Sequence, residues 1–193
     1  MKIIGVGCGP GMLTEQAIRE ISRAKIIYGS DRAIELARSY IPFHCTVKTI
    51  DDFKKLDTLA KDAVILSTGD PMLAGLGYLT GEVIPGISSL QVAAARLHIP
   101  LSRVSVVVAH GKGHEKGMKD TVDEILRGKI VFLLADPKFD VQSLYCQLSS
   151  LTVPMKIALC ENLGYPEENI RVRDIQSAPQ PTEALYSLVI GNF

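Results

Sequence analysis

Apolar residues along this chain come in short β-branched runs, separated by stretches in which they recur every third or fourth position. KIIGV (2–6) predicts a buried strand, and TEQAIREISRA (14–24) a helix with Ala17, Ile18 and Ile21 on one face. Thr14 stands where an N-cap belongs. KIIYG (25–29) is a second strand, followed by a helix over 30–40 capped by Ser30 or Asp31. The plainest strand lies in DAVILSTGDP (62–71), stopped by Gly69 and Pro71. EVIPG (82–86) is another and leads into a helix over ISSLQVAAARLHI (87–99).

Strand and helix in turn predict crossover connections and a mostly parallel sheet. Pro100 interrupts the rhythm, and RVSVVVAHG (103–111) begins a second half. A helix over KDTVDEILRG (119–128), a strand in KIVFLLADP (129–137) and a helix over FDVQSLYCQLSS (139–150) continue it. After Pro154 come three β-like runs, MKIALCE, NIRVRDI and ALYSLVIG, with GYPEEN as a turn between the first two. They predict antiparallel strands closing a mixed sheet. The expected fold is α/β, with a mostly parallel N-terminal domain (1–100) and a mixed-sheet C-terminal domain (101–193).

Composition narrows the function classes. The chain has 193 residues, 47% apolar and 22% charged, and its 21 basic and 21 acidic residues cancel. Nucleic acid or a membrane surface held mainly by charge is therefore not an expected partner. The opening MKIIGV is too short for an export signal, and no apolar run nears the roughly 20 residues that span a bilayer. Cys8, Cys45, Cys146 and Cys160 are scattered without a C-x-x-C pair, which predicts reduced thiols, a cytoplasmic location and no metal site.

The loop GVGCGPGMLT (5–14) holds four glycines in seven positions directly behind the first strand. A dinucleotide fingerprint needs G-x-G-x-x-G, but the sixth position is Pro10 counted from Gly5 and Met12 counted from Gly7. A P-loop fails too, since no Gly-Lys-Ser/Thr follows and Pro10 removes a backbone donor. Two readings remain on the glycines alone: a loop serving chain geometry, or one lying flat under a bulky ligand. STGDPMLAGLG (67–77) then puts an Asp-Pro turn at the end of the plainest strand, where open α/β sheets bind ligands. There Asp70 offers an acceptor, and Gly69, Gly75 and Gly77 permit close approach. EVIPGISS (82–89) repeats the device, with Ser88 and Ser89 as helix caps or ligand contacts.

The series GVGCGPGMLT, GDPMLAGLG, PGISSLQVAAARL and AHGKG resembles the tetrapyrrole (corrin/porphyrin) methylase family over nearly the whole chain. PGISSLQVAAARLHIPLSRV with VVVAHGKG is most similar to members that methylate carbon 5 of a corrin-ring precursor in cobalamin biosynthesis. The resemblance implies S-adenosylmethionine (SAM) as cofactor, a ligand cleft between two domains and a homodimer. It also implies a second methylase and decarboxylase working alongside. Carried over residue by residue, Cys8, Asp70, Leu73, Ser88, Ser89, Leu134, Ala135, Leu159 and Leu188 are expected at the cofactor. Gly9, Pro10, His110 and Lys112 are expected at the substrate, with Arg96 and Arg103 as weaker cationic candidates. Two departures stand out. The span between GDPMLAGLG and EVIPG is only YLTG, which predicts a clipped helix, and GKGHEKG carries Lys112 and His114 where relatives have a Gly-Arg pair.

No catalytic triad, carboxylate pair or metal cluster is visible, which suits methyl transfer from a sulfonium to an electron-rich ring carbon. Rival readings are a methylase acting on another tetrapyrrole carbon or on a protein in the diphthamide pathway, a nicotinamide-dependent oxidoreductase, and a non-catalytic binder. His110 and His114 have the spacing of helical metal ligands, but Gly111, Gly113 and Gly117 argue against a helix there. Asp31 is expected to cap its own helix.

Overall fold

In the computed structural model, which describes residues 1–59 and 61–193, the early apolar runs pair as five parallel strands. They are β1 (Lys2–Gly5), β2 (Ile26–Gly29), β3 (Thr46–Thr49), β4 (Val64–Ser67) and β5 (Glu82–Ile84), in the order β3-β2-β4-β1-β5. β4 is buried along its whole length, as a central parallel strand covered on both faces must be. One face packs Ile4, Ile27 and Leu66 on Ala17 and Ile21 of α1 (Glu15–Ile21) and on Ala33 and Ile34 of α2 (Asp31–Ala37). The other packs Ile3 and Ile65 on Leu56 of the 3₁₀ turn Phe53–Thr58 and on Leu79. Leu79 belongs to the span 71–81, a series of turns with no helix at all, so the clipped segment covers the sheet with loop.

Local chemistry sets the helix starts. Thr14 Oγ1 accepts from Ala17 N (3.1 Å), and Ser30 Oγ accepts from Ala33 N (3.3 Å). Asp31 does not cap α2; its carboxylate accepts from the Thr49 hydroxyl (3.0 Å) and ties the helix to the end of β3. β3 was not expected from the sequence. All four of its residues are exposed on a sheet edge, so TVKT carries no apolar alternation.

The chain divides into two compact units, Met1–Ser89 and Leu90–Phe193. Helix α3 (Ser89–Leu97) leads into the second and ends at His98, whose φ of 54° lets Ile99 N reach Ala94 O (2.9 Å). The second sheet joins β6 (Val104–Ala109), β7 (Ile130–Ala135), β8 (Lys156–Glu161), β9 (Asn169–Asp174) and β10 (Tyr186–Gly191), in the order β6-β7-β10-β8-β9. Only β6 and β7 are parallel, so the expected antiparallel tail does close a mixed sheet. β10 threads between β7 and β8, with Leu188 opposite both Leu133 and Leu159. One core of this unit gathers Leu133, Leu159 and Leu188 with Ile125 of α4 (His114–Leu126) and Leu144 and Leu148 of α5 (Val141–Ser149).

Helix α4 begins at His114, ahead of the predicted Lys119, and runs through Gly117. A Cβ at Gly117 would stand 2.6 Å from the Ala109 Cβ, so glycine lets α4 lie directly on β6. That contact offsets the ~1 kcal/mol that glycine costs inside a helix. Among the described residues, no helix is long and apolar enough to cross a membrane.

Candidate functional site

In the first unit the chain leaves β1 towards β2 on one side, and leaves β4 towards β5 on the other. The carboxyl ends of β1 and β4 therefore flank a topological switch point, where open parallel sheets take their ligands. Three loops converge there: the glycine-rich loop after β1, the Asp-Pro turn after β4 and the Pro-Gly turn after β5.

Their convergence explains the glycines. Gly7 and Gly69 pair as an antiparallel bridge, Gly69 N donating to Gly7 O (2.7 Å) and Gly7 N to Gly69 O (3.2 Å). A Cβ on Gly5 would fall 2.6 Å from Gly86 N and 2.8 Å from Gly69 O, and one on Gly86 would fall 2.9 Å from Gly5 Cα. What comes so close to the backbone at these positions is the backbone of the next loop. A Cβ on Gly75 would fall 2.6 Å from the Ser67 hydroxyl and 2.9 Å from the Pro71 carbonyl oxygen. Gly69 differs: its φ is +67°, and among the described residues the only atom within 4 Å of the place of a Cβ is Ser88 Cα at 3.9 Å. The peptide there has open space above it, a cradle that a ligand can enter and a side chain would fill.

Asp70 locks the loops together. One carboxylate oxygen accepts from Met72 N (2.8 Å) and the other from Gly86 N (2.9 Å), while the Asp70 carbonyl accepts from Leu73 N (3.1 Å). A carboxylate offers about four acceptor positions, so Asp70 keeps capacity for a ligand beyond these two. Cys8 is buried with its thiol 3.7 Å from the Met12 sulfur, Gly9 is buried beside it, and Pro10 is exposed. Leu73 is half-buried in the Asp-Pro turn, Ser88 is buried, and Ser89 is the half-buried first residue of α3.

The second unit repeats the device at the ends of β6 and β7. Asp136, one residue past β7, accepts from Lys138 N (2.8 Å) on one oxygen. Its other oxygen accepts from Gly111 N (2.7 Å) and from His114 Nε2 (2.9 Å), and its carbonyl accepts from Phe139 N (3.0 Å). Because a carboxylate only accepts, the His114 ring nitrogen is the donor. The His114 bond first, then the backbone donors Gly111 and Lys138, hold the Asp136 carboxyl well below the usual carboxylate range against the effect of burial. The His114 ring stands edge-on to Phe139, with centroids 5.6 Å apart. His110 and Lys112 sit in the turn that Asp136 pins, both exposed, and Gly111–Gly113 forms one 3₁₀ turn ahead of α4.

The remaining expected residues divide. Leu134 is half-buried at the end of β7, whereas Ala135 points into the core. Leu159 and Leu188 are both fully buried in that core, pair with each other across β8 and β10, and present no surface to a ligand. Arg96 is held by Glu168 (2.6 Å), and Arg103 donates to the Asn192 carbonyl (3.0 Å). Sequence reasoning passed over Asp136, although the signal is present: GDP at 69–71 and ADP at 135–137 each follow a strand. It also passed over Glu161, fully buried at the end of β8. Glu161 accepts from Thr182 N (2.7 Å), the Thr182 hydroxyl (2.9 Å), Glu183 N (3.0 Å) and Arg171 (2.9 Å). Burial raises its pKa, but these donors outweigh burial and leave it lowered.

The first unit can hold a ligand over an open peptide flanked by polar side chains, and the second, taken by itself, presents Lys112 and the His110 ring from a pinned turn. The glycine-rich loop contains no dinucleotide fingerprint. Comparison with known proteins agrees. The chain is 33% identical over 190 residues to "Probable cobalt-precorrin-7 C(5)-methyltransferase" of Methanocaldococcus jannaschii, covering 89% of this chain and 88% of that one. It is 29% identical over 126 residues to a Sinorhizobium "Precorrin-6Y C(5,15)-methyltransferase [decarboxylating]", covering 58% of this chain and 30% of that one. The crystal structure of the cobalamin-biosynthesis precorrin-6Y methylase from Archaeoglobus fulgidus matches at a TM-score of 0.76 and 30% identity, covering 99% and 96% of the two chains. With the profile of the "Tetrapyrrole (Corrin/Porphyrin) Methylases" matching residues 2–179, the nicotinamide reading is retired, and the chain belongs to that family of methyltransferases.

Proposed function

We propose that this chain transfers the methyl group of SAM to carbon 5 of cobalt-precorrin-7 in cobalamin biosynthesis. The observation that carries the proposal is the near full-length likeness to the M. jannaschii protein, whose name states that reaction. The open peptide at Gly69 supports it, because a cofactor can lie against backbone there without displacing a side chain. Ser88 stands against that peptide, and with it Cys8, Asp70, Leu73 and Ser89, from the three loops and the start of α3, would hold the cofactor. When bound, SAM supplies an electrophilic methyl group on a positively charged sulfur, whose departure as a neutral thioether needs no acid.

The work left to the protein is alignment. Holding donor and acceptor in line accounts for up to roughly 7–11 kcal/mol of barrier in favourable cases. Fixed loops serve that end: in the first unit the Gly7–Gly69 bridge and the Asp70 carboxylate hold them, and in the second the Asp136 carboxylate holds the turn. A corrin precursor carries several carboxylates, and the exposed His110 and Lys112 offer donors to them, the lysine as a point charge. A second methylase and decarboxylase working alongside is a further part of the proposal, supported by the Sinorhizobium relative, whose name joins methylation at carbons 5 and 15 with decarboxylation.

The test is turnover with methyl-labelled SAM and cobalt-precorrin-7, together with calorimetry of S-adenosylhomocysteine and NADH. Label transfer to carbon 5 and binding of S-adenosylhomocysteine alone are expected. Binding of NADH alone, or label on another carbon, overturns the proposal.

A further inference from the structure

The two units share a detail that only one motif advertised. In each, an Asp-Pro turn follows a strand, and the aspartate carbonyl accepts from the residue three positions on, Leu73 in one case and Phe139 in the other. One carboxylate oxygen accepts from the residue two positions on, Met72 or Lys138. The second oxygen accepts from a glycine N–H in another strand's exit loop, Gly86 or Gly111. In the first unit that glycine is also wedged by packing. In the second it is not: a Cβ on Gly111 would meet nothing within 4 Å, and φ there is +59°. Packing at Gly111 therefore does not fix this turn as it does at Gly86, whereas Asp136 grips it at two points, through Gly111 N and the His114 ring.

We propose that Asp136 is a positioning residue, a latch that holds the His110–Lys112 turn in the pose from which it takes the substrate's carboxylates. Asp136 need not touch substrate; it acts through the turn, and His114 is its second anchor. The inference rests on the reading of this turn as the carboxylate-binding element.

Kinetics of four variants test it on the intact chain: Asp136→Asn, His114→Phe, a double His110→Ala/Lys112→Ala variant and that double variant carrying Asp136→Asn. Asparagine places an NH₂ donor against one of the N–H groups that the carboxylate accepts. Phenylalanine keeps the ring edge on Phe139 and removes the nitrogen, so it reads the same latch should the asparagine variant fail to fold. Asp136→Asn is expected to raise KM for cobalt-precorrin-7 about tenfold and to leave the KM for SAM and the affinity for S-adenosylhomocysteine within about twofold. His114→Phe is expected to act in the same direction, and amide exchange at Gly111 to quicken in both without any ligand. In the double His110→Ala/Lys112→Ala background, Asp136→Asn should add nothing further to KM, because the groups it positions are gone. An unchanged substrate KM in both latch variants, beside a raised one in the double variant, overturns the latch and leaves the turn's role standing. So does a full tenfold rise on top of the double variant. An unchanged KM in the double variant itself removes the reading of the turn, and the latch with it.

Discussion

Gly86→Ala is the sharpest probe of how the first unit builds its site. The added Cβ would fall 2.9 Å from Gly5 Cα and closer still to the Gly69 carbonyl oxygen, and both obstacles are backbone, with no rotamer to yield. Clearing them means moving the Pro-Gly turn away from the Gly69 peptide. That motion strains the two bonds of the Gly7–Gly69 bridge and the bond from Gly86 N to Asp70. Neutral backbone bonds are worth about 0.5–1.5 kcal/mol each and one to a carboxylate about 1.5–3, so losing all three comes to about 2.5–6 kcal/mol. Gly11→Ala is the control. Gly11 has φ +74° but nothing within 4 Å of a Cβ, so it bears only the left-handed penalty of about 1–2 kcal/mol. Urea unfolding, with hydrogen exchange on the β1 and β4 amides, measures both variants. If Gly86→Ala proved as mild as Gly11→Ala, backbone packing would not be the reason for glycine there.

Two further changes probe the second unit. Glu161→Gln exchanges a buried, fully bonded carboxylate for an amide that turns a donor towards Arg171 or the 182–183 backbone; a loss of about 2–3 kcal/mol is expected in urea unfolding. The same residue predicts an acid limit. Folding lowers the carboxyl pKa of Glu161, and of Glu168, where burial opposes and the Arg96 ion pair and Gly164 N prevail. Their contribution is present above the unfolded-state pKa of about 4.3 and is lost as pH falls through the lowered folded values. Thermal melts should therefore hold steady down to about pH 5 and drop below it, less steeply in Glu161→Gln. His98→Gly replaces a left-handed histidine after α3 with the residue that adopts φ 54° freely, and should raise the melting temperature by about 1–3 °C.

Much of this molecule is legible in its residues. Apolar, β-branched runs located nine of the ten strands among the described residues, seven of them with a Gly or Pro stop, because a strand packed on at least one face must advertise itself in apolar residues. β3 escaped because edge position and full exposure free TVKT from that demand. The start of α4 escaped for a different reason: Gly117 reads as a helix breaker until Ala109 is found pressed against it. At the site, the motifs located the converging loops but not the division of labour among their glycines. Gly5 and Gly86 serve the chain, and Gly69 alone of these three leaves room for something else. Leu159 and Leu188 were placed at the cofactor through resemblance, and register alone shows them facing each other inside a core. Asp136 was visible as the second Asp-Pro turn, but its partners lie 25 and 22 residues upstream, a separation that local pattern does not encode.

The threading of β10 between β7 and β8 has a consequence for how the polypeptide matures during synthesis. All five strands of the first sheet exist once Ile84 has been made, so that layer is free to assemble early. The second has a gap at its centre until residues 186–191 arrive, leaving β6–β7 and β8–β9 as two pairs with bare inner margins. A nascent chain stalled anywhere in that interval displays two unpaired rims suited to joining another copy's strand, and that window is when this protein is most exposed to mispairing.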